Sequence, residues 1–438
     1  MVGPTSTMLV VTASNWFFSG GGLMTTKKTY ILDNPFIFEH RLLRIVKKSK
    51  CSNQISTGGK RIGHSSMEAL LTDPEDFQVG RFVGSYGFMN VTSYSSFQSG
   101  AGAVGYSSED VGRFKVQDVG EGEVKIRLYE GRVVQGPWKG TSVFFKVYPG
   151  RRAGGIDADM MATNELNAHT SLQDDGKDES KNIQVLLGGF ETKTGEQWLA
   201  FRDHGKYNAS DYAKTASESI SSFAIEGLSW NPFDKVQLLK RRRFFVTKLL
   251  NGIMTGLAYI HDHHRLHQSL GPTSIVLNTI AEKEAVYLTP RIRDFAFSVD
   301  MRHSSLVAIP GRLSEGLWRR AKAAGAFTVL EKRSFAFADD IYEAGLLIAY
   351  LSFVPFCEAG SMDGLSIQRL LENTFKLDLE AAREYCLADD RLVEAVNFLD
   401  SGDGAGWQLL QAMLNPDFRQ RPIAEAVLNH RFITGAVL

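Results

Sequence analysis

The sequence predicts an α+β protein, with a small strand-rich lobe followed by a larger helical one. Three observations carry that reading. Short runs of β-branched and aromatic residues recur between residues 124 and 201. A single helical stretch, 159–172, interrupts them. From Tyr207 onward, apolar residues recur instead at three- and four-residue spacing.

In chain order, 124–129 and 131–134 read as two strands joined by a tight connection, and 141–148 as a third strand around Lys146. After the helix comes an acidic loop, 174–181, read as a solvated turn, then strands at 183–190 and 197–201. The Ser-rich stretch 217–235, with Asn231-Pro232 near its end, is expected to be a surface loop. Val246, Leu249, Leu250, Ile253, Leu257 and Ile260 form one apolar helix face. Residues 340–351 are apolar on nearly all sides, the mark of a helix inside the core. Helices at 408–414 and 423–432 close the chain.

Composition narrows the function classes. A chain of 438 residues can hold one large bilobal domain or two medium ones. With 43% apolar and 22% charged residues, it has the make-up of a soluble globular protein. Lys+Arg and Asp+Glu both number 49, so no overall field favours nucleic acid or an anionic membrane, and no nucleic-acid partner is expected. Cys51, Cys357 and Cys386 are far apart, which excludes a disulfide framework or a zinc site and suits a reducing compartment. The longest apolar stretch, 345–356, contains Tyr350, Ser352 and Pro355, so no transmembrane segment is expected.

The N-terminus differs from the rest. No acidic residue precedes Asp33, Ser and Thr are frequent, and Lys27, Lys28, Arg41, Arg44, Lys47, Lys48 and Lys50 are basic. Residues 1–50 therefore read as an organelle transit peptide or, alternatively, a disordered arm. Residues 51–112 read as a low-order extension, with Ser, Gly and Tyr dominating 93–105 as a linker. The first lobe is expected over 113–205 and the second over 206–438.

Several residues are candidates for chemistry. Gly120-Glu-Gly122 would let backbone amides approach a phosphate, or would simply form a turn. Lys146 lies in Val143-Phe-Phe-Lys-Val147, where a lysine needs a carboxylate or a phosphate partner unless its head reaches water. Glu165, nineteen residues later on the helix, is the candidate partner. His261, His263, His264 and His267 invite a metal reading, but no carboxylate or thiolate completes a site.

Downstream, Ile260-His-Asp-His-His-Arg-Leu-His267-Gln-Ser-Leu-Gly-Pro-Thr-Ser-Ile-Val-Leu277 is followed by Arg291-Ile-Arg-Asp294-Phe-Ala296. Then come Asp340-Ile-Tyr-Glu-Ala-Gly345 and Leu414-Asn-Pro-Asp-Phe-Arg-Gln-Arg421-Pro-Ile. In this order, after a lysine strand and a glutamate helix, these stretches resemble the protein-kinase catalytic domain over roughly residues 113 to 435. Asp340-Ile-Tyr, the stretch 399–410 and Arg419-Gln-Arg421 are closest to plant chloroplast state-transition-type kinases. That resemblance implies a bilobal protein-kinase-like fold, in which Lys146, Glu165 and Asp294 anchor nucleotide phosphates and Asp294 also binds magnesium. It implies structural roles for His267, Phe295, Asp340 and Arg421, and a chloroplast address, with mitochondrion or cytoplasm as alternatives.

The departures from the family pattern fall in one loop. The proton-accepting aspartate is replaced by Ser269, the catalytic-loop lysine by Gly271 and the metal-binding asparagine by Ser274. Ala296 follows Asp294-Phe295 where the family has glycine, and Lys125 holds the third position of the glycine-rich loop. No Ala-Pro-Glu sequence closes the segment that follows. A positioned acid–base group contributes about 100- to 10,000-fold in rate, so these losses imply a pseudokinase, a regulatory or scaffolding protein with a protein partner. The surviving trio implies ATP or ADP binding, with the alternative that it persists as an ion cluster between the lobes. The competing enzyme reading is an atypical kinase or nucleotidyl-transfer enzyme working through Lys146, Glu165 and Asp294.

Overall fold

The computed structural model describes residues 70–88, 124–173, 181–225, 232–302 and 314–436. All lie in one compact unit, Gly59–Leu438. The expectations for residues 1–50, the linker 93–105, Gly120, Gly122 and the acidic loop before Lys181 lie outside the described residues.

The first part is a five-stranded antiparallel sheet in the order β1-β2-β3-β5-β4. Its strands are β1 (Phe77–Phe88), β2 (Val124–Val133), β3 (Ser142–Tyr148), β4 (Leu186–Glu191) and β5 (Gln197–Arg202). The helix α1 (Arg151–Gln173) connects β3 to β4. Two expectations change here. The stretches 124–129 and 131–134 are one continuous strand, and its antiparallel partner is β1, well before the order expected to begin near Arg113. Gly131 does not break β2, because it makes room inside it. A Cβ there would come 2.5 Å from the Phe145 ring and 2.6 Å from the Gln78 carbonyl oxygen.

Alternation along β3 splits its side chains between two environments. Val143, Phe145 and Val147 point into a cluster with Phe77, Leu187, Phe190 and Ala200. Phe145 meets Phe77 and Trp198 edge-on, with centroids 5.5 and 5.6 Å apart, and Phe190 stacks on Trp198 at 5.6 Å. The opposite face of β3 carries Lys146 and Tyr148, both buried and both turned toward α1.

The helical part follows β6 (Tyr207–Asn208). Among the described residues it comprises α2 (Ala209–Ile225), α3 (Pro232–Asp262), α4 (Glu315–Ala323), α5 (Val329–Phe353) and six further helices down to Arg431–Thr434. The Ser-rich stretch is not a surface loop at its start. Ala209, Tyr212, Ala213 and Ala216 fall on one buried helix face, and Ser217 donates to the Cys357 carbonyl at 2.8 Å. Tyr212 stacks on Phe245 of α3 with centroids 4.3 Å apart. The helix α3 opens at Pro232, where a missing N–H removes no hydrogen bond. Its face from Val246 to Ile260 is fully buried, and α5 is buried on all sides from Ala338 to Phe353. The terminal stretch 423–432 is two short helices, Ala424–Leu428 and Arg431–Thr434, with His430 capping the second.

Between the two parts run short strands that position the site: β7 (Arg265–Leu266), β8 (Ile275–Leu277), β9 (Arg291–Ile292) and β10 (Val299–Asp300). The pairs β8–β9 and β7–β10 bring the 267–274 loop alongside Asp294 and the Phe295–Phe297 turn. Among the described residues, no helix is long and apolar enough to cross a membrane.

Candidate functional site

Lys146 is the starting point, because an ammonium only 1% exposed needs anionic partners. It donates to Glu165 Oε1 of α1 at 2.6 Å and to Asp294 Oδ1. Tyr148, two residues on and therefore on the same strand face, donates its hydroxyl to Glu165 Oε2. Asp294 Oδ2 faces a second cation, with Arg293 Nε 3.3 Å away. Arg293 is fixed in turn by donating from Nη2 to the Thr273 carbonyl at 2.9 Å. Burial pushes the Asp294 carboxyl up, but Lys146 and Arg293 outweigh it and hold it down at about 2.

Asp294 adopts a left-handed backbone, φ 72° and ψ 58°, which turns the chain into the Phe295–Phe297 turn. Phe295 is fully buried in a column of rings: His267–Phe295 at 5.0 Å, Phe295–His169 at 4.8 Å and His169–Phe201 at 5.0 Å. The Phe201 ring also lies under the Lys146 ammonium at 5.2 Å. Asn164 of α1 clamps the turn, donating to the carbonyls of Ala296 at 2.9 Å and Ser298 at 2.7 Å. Ala296 is thus held at its carbonyl rather than free to swing.

Burial, reinforced by Lys146, drives His169 down to about 3, and neither of its ring nitrogens has a hydrogen-bond partner among the described residues. Burial also lowers His267, against the opposing pull of Asp340 and its bond to the Arg293 carbonyl. Both imidazoles are neutral at pH 7.

The 267–274 loop is anchored from below by α5. Asp340, fully buried, accepts the backbone N–H groups of His267 at 2.7 Å and Gln268 at 2.9 Å, and the Gln268 side chain at 2.9 Å. Glu343, one turn on, accepts the Leu270 N–H at 3.2 Å. Arg421 donates to the carbonyls of Asn415 and Ala338 and lies over the Tyr342 ring at 4.6 Å.

Of the three altered positions of the loop, the two serines turn inward. Ser269, 3% exposed, donates its hydroxyl to the Asp294 carbonyl at 3.0 Å. Ser274, fully buried, donates to the Gly271 carbonyl at 2.7 Å and accepts the Gly271 N–H at 2.9 Å. Gly271 has an extended backbone, φ −153°, with no atom within 4 Å of where a Cβ would stand.

Lys146, Glu165, Asp294, Phe295, His267, Ser269 and Ser274 therefore gather on both sides of one junction, while Asp340 and Arg421 lie beneath it. Lys125 is an exposed residue at the start of β2, paired with Gly87. Because β1 is the partner strand, the glycines facing this end of β2 are Gly84 and Gly87. The four histidines do not converge: His261 meets Asp340, His263 the Tyr259 carbonyl, His264 Arg333 and His267 the Arg293 carbonyl. No cluster of metal-ligating side chains occurs among the described residues.

The sequence reading did not single out Arg293, Tyr148, His169 or Phe201. Three of these were visible in spacing: Tyr148 is two residues from Lys146 on a strand, His169 four from Glu165 on a helix, and Arg293 adjoins Asp294, whereas Phe201 meets His169 and Lys146 only through the fold.

No family model and no curated protein matches the sequence. Among solved structures, the chain is similar to the crystal structure of an Stt7 homolog from Micromonas algae soaked with ATP. The match has 15% identity and a TM-score of 0.49, and covers 87% of this chain and 97% of that one. At that score the fold rests on this chain's own geometry. A five-stranded antiparallel sheet with one helix, joined to a helical part through Lys146, Glu165 and Asp294, makes it a bilobal, protein-kinase-like α+β fold.

Proposed function

We propose that the chain is a pseudokinase, a kinase-like regulatory or scaffolding protein that does not carry out ordinary phosphoryl transfer. The observation that carries this is the state of Ser269. At the position from which a carboxylate would take the proton of an incoming alcohol stands a buried hydroxyl, already committed to the Asp294 carbonyl. The nearest carboxylates of α5, Asp340 and Glu343, hold backbone N–H groups of the same loop. Purified chain incubated with γ-labelled ATP, magnesium and a generic acceptor should transfer no more label than its Asp294→Asn variant. Transfer that Asp294→Asn abolishes would replace this reading with the enzyme one.

The paired Lys146 and Glu165 favour a second element, an ATP or ADP site between the sheet and the helical part. A rise in thermal midpoint with ATP or ADP that is absent in Lys146→Met supports it, and no rise at any concentration removes it. The basic, Ser- and Thr-rich N-terminus supports import into a chloroplast. A fluorescent fusion of residues 1–50 that stays in the cytosol would refute that.

A further inference from the structure

Among the described residues, four charged groups meet at the junction: Lys146 and Arg293 as cations, Glu165 and Asp294 as anions. Without Arg293 the set would carry one net negative charge, the imbalance that a divalent cation at a phosphate site relieves. With Arg293 it balances. A buried ion is tolerated only when its charge is compensated, so bringing a divalent cation into this already balanced set is costly.

The donor inventory agrees. Both oxygens of Asp294 face cations, Oδ1 toward Lys146 and Oδ2 toward Arg293. The Ser274 hydroxyl, at the other position from which the family resemblance draws a metal ligand, closes on the backbone of Gly271 in both directions. Magnesium favours octahedral oxygen coordination, typically through one or two carboxylates with waters and phosphates, and these residues do not offer it. Arg293 is not an incidental neighbour, because its bond to the Thr273 carbonyl holds it in place.

We infer that Arg293 is a resident counter-cation which occupies the place of the metal ion, so that this site, and any nucleotide it takes, works without a divalent cation. The inference rests on the kinase-like reading of the junction but not on the absence of transfer. Label transfer in the presence of EDTA would sink the proposed function and leave this inference standing.

The test is Mn2+ alone, titrated into the full chain and followed by loss of the free-ion electron paramagnetic resonance signal. The wild type should bind no Mn2+ that Asp294→Asn removes. Arg293→Gln should gain one equivalent, bound about tenfold or more tighter than any wild-type site, and Asp294→Asn in that background should abolish it. Wild-type binding that is lost in Asp294→Asn overturns the inference, as does a folded Arg293→Gln that remains blind to Mn2+. If Arg293→Gln does not fold, Arg293→Met keeps the apolar stem of the side chain while removing the same cation. A gained Mn2+ site there supports the inference, and its absence overturns it.

Discussion

The cluster around Lys146 and the loop around Ser269 both press against Asp294, yet their polar groups are satisfied in opposite ways. In the cluster, charges meet charges: an ammonium bonds two carboxylates and a guanidinium faces the second oxygen of one of them. In the loop, neutral hydroxyls meet backbone: Ser269 bonds the Asp294 carbonyl and Ser274 bonds both polar groups of Gly271. Losing a member of the first kind strands a buried charge, whereas losing a member of the second removes one modest hydrogen bond. The cluster should therefore carry the stability of the junction, with the loop serving as its lining.

Lys146→Met gives the largest expected effect. It leaves Glu165 and Asp294, both fully buried, without their shared cation, and should cost about 3–5 kcal/mol in urea unfolding at pH 7. The loss should shrink toward pH 4, where the stranded carboxyls take up protons. A cost below about 1 kcal/mol, the ordinary worth of an exposed pair, would erase the distinction between cluster and loop.

Ser269→Asp sharpens the contrast from the other side. It restores the side chain that the family resemblance calls for, but in a pocket 3% exposed and aimed at a carbonyl oxygen. An added carboxylate there should cost about 3 kcal/mol, and label transfer should stay at the wild-type background. Robust transfer by this variant would mean that the missing base was the one defect of the site, and that neither Gly271 nor the Arg293 cation matters.

The ring column supplies the pH dependence. His169 titrates near 3 in the folded chain because of its burial, against about 6.5 when unfolded. Its folded value is depressed, so the unfolded chain binds the extra proton. The stability it contributes is complete above pH 6.5 and falls as the pH drops toward 3. Between pH 6.5 and 5 this one residue should remove about 2 kcal/mol. His169→Leu should flatten that part of the unfolding profile by the same amount, and an unchanged slope would place the acid sensitivity elsewhere. Asp294 adds a second decline at lower pH, between its unfolded value near 3.8 and its folded value of about 2.

Much of this junction was legible in the sequence because it obeys local periods. The spacing from Lys146 to Glu165 is a strand followed by a helix, and the burial of α3 and α5 follows from apolar residues at three- and four-residue intervals. What escaped was set by partners distant in the chain. The stretches 124–129 and 131–134 read as two strands meeting at Glu130-Gly131, whereas they are one, and the ring of Phe145 on the neighbouring strand leaves no room for a side chain at Gly131. The strand β1 was passed over because its sequence has no clean alternation, and its register is irregular between Val79 and Gly84. The serines of α2 concealed a helix whose apolar stripe is built largely from alanines. Arg293 stands beside Asp294 in the sequence, but only the fold brings the Thr273 carbonyl to its guanidinium and holds it against the second carboxylate oxygen.

The smallest expected effect is Gly271→Lys, and it isolates what the loop itself tolerates. The backbone there is extended, a conformation open to any residue, and the space where a Cβ would stand is empty. Gly271 also lines a groove of about 430 Å³ together with Lys214, Glu218, Tyr350 and Asp363, large enough for a lysine stem. The bond from the Gly271 N–H to the Ser274 hydroxyl uses only the backbone of residue 271 and survives the change. Stability should therefore move by no more than about 0.5 kcal/mol, measured by urea unfolding. If it did, glycine at this position was not selected for packing, and the lysine expected from the family resemblance was lost without structural pressure. A cost of several kcal/mol would instead mean that the loop is as tightly determined as the cluster, and the contrast between them would fail.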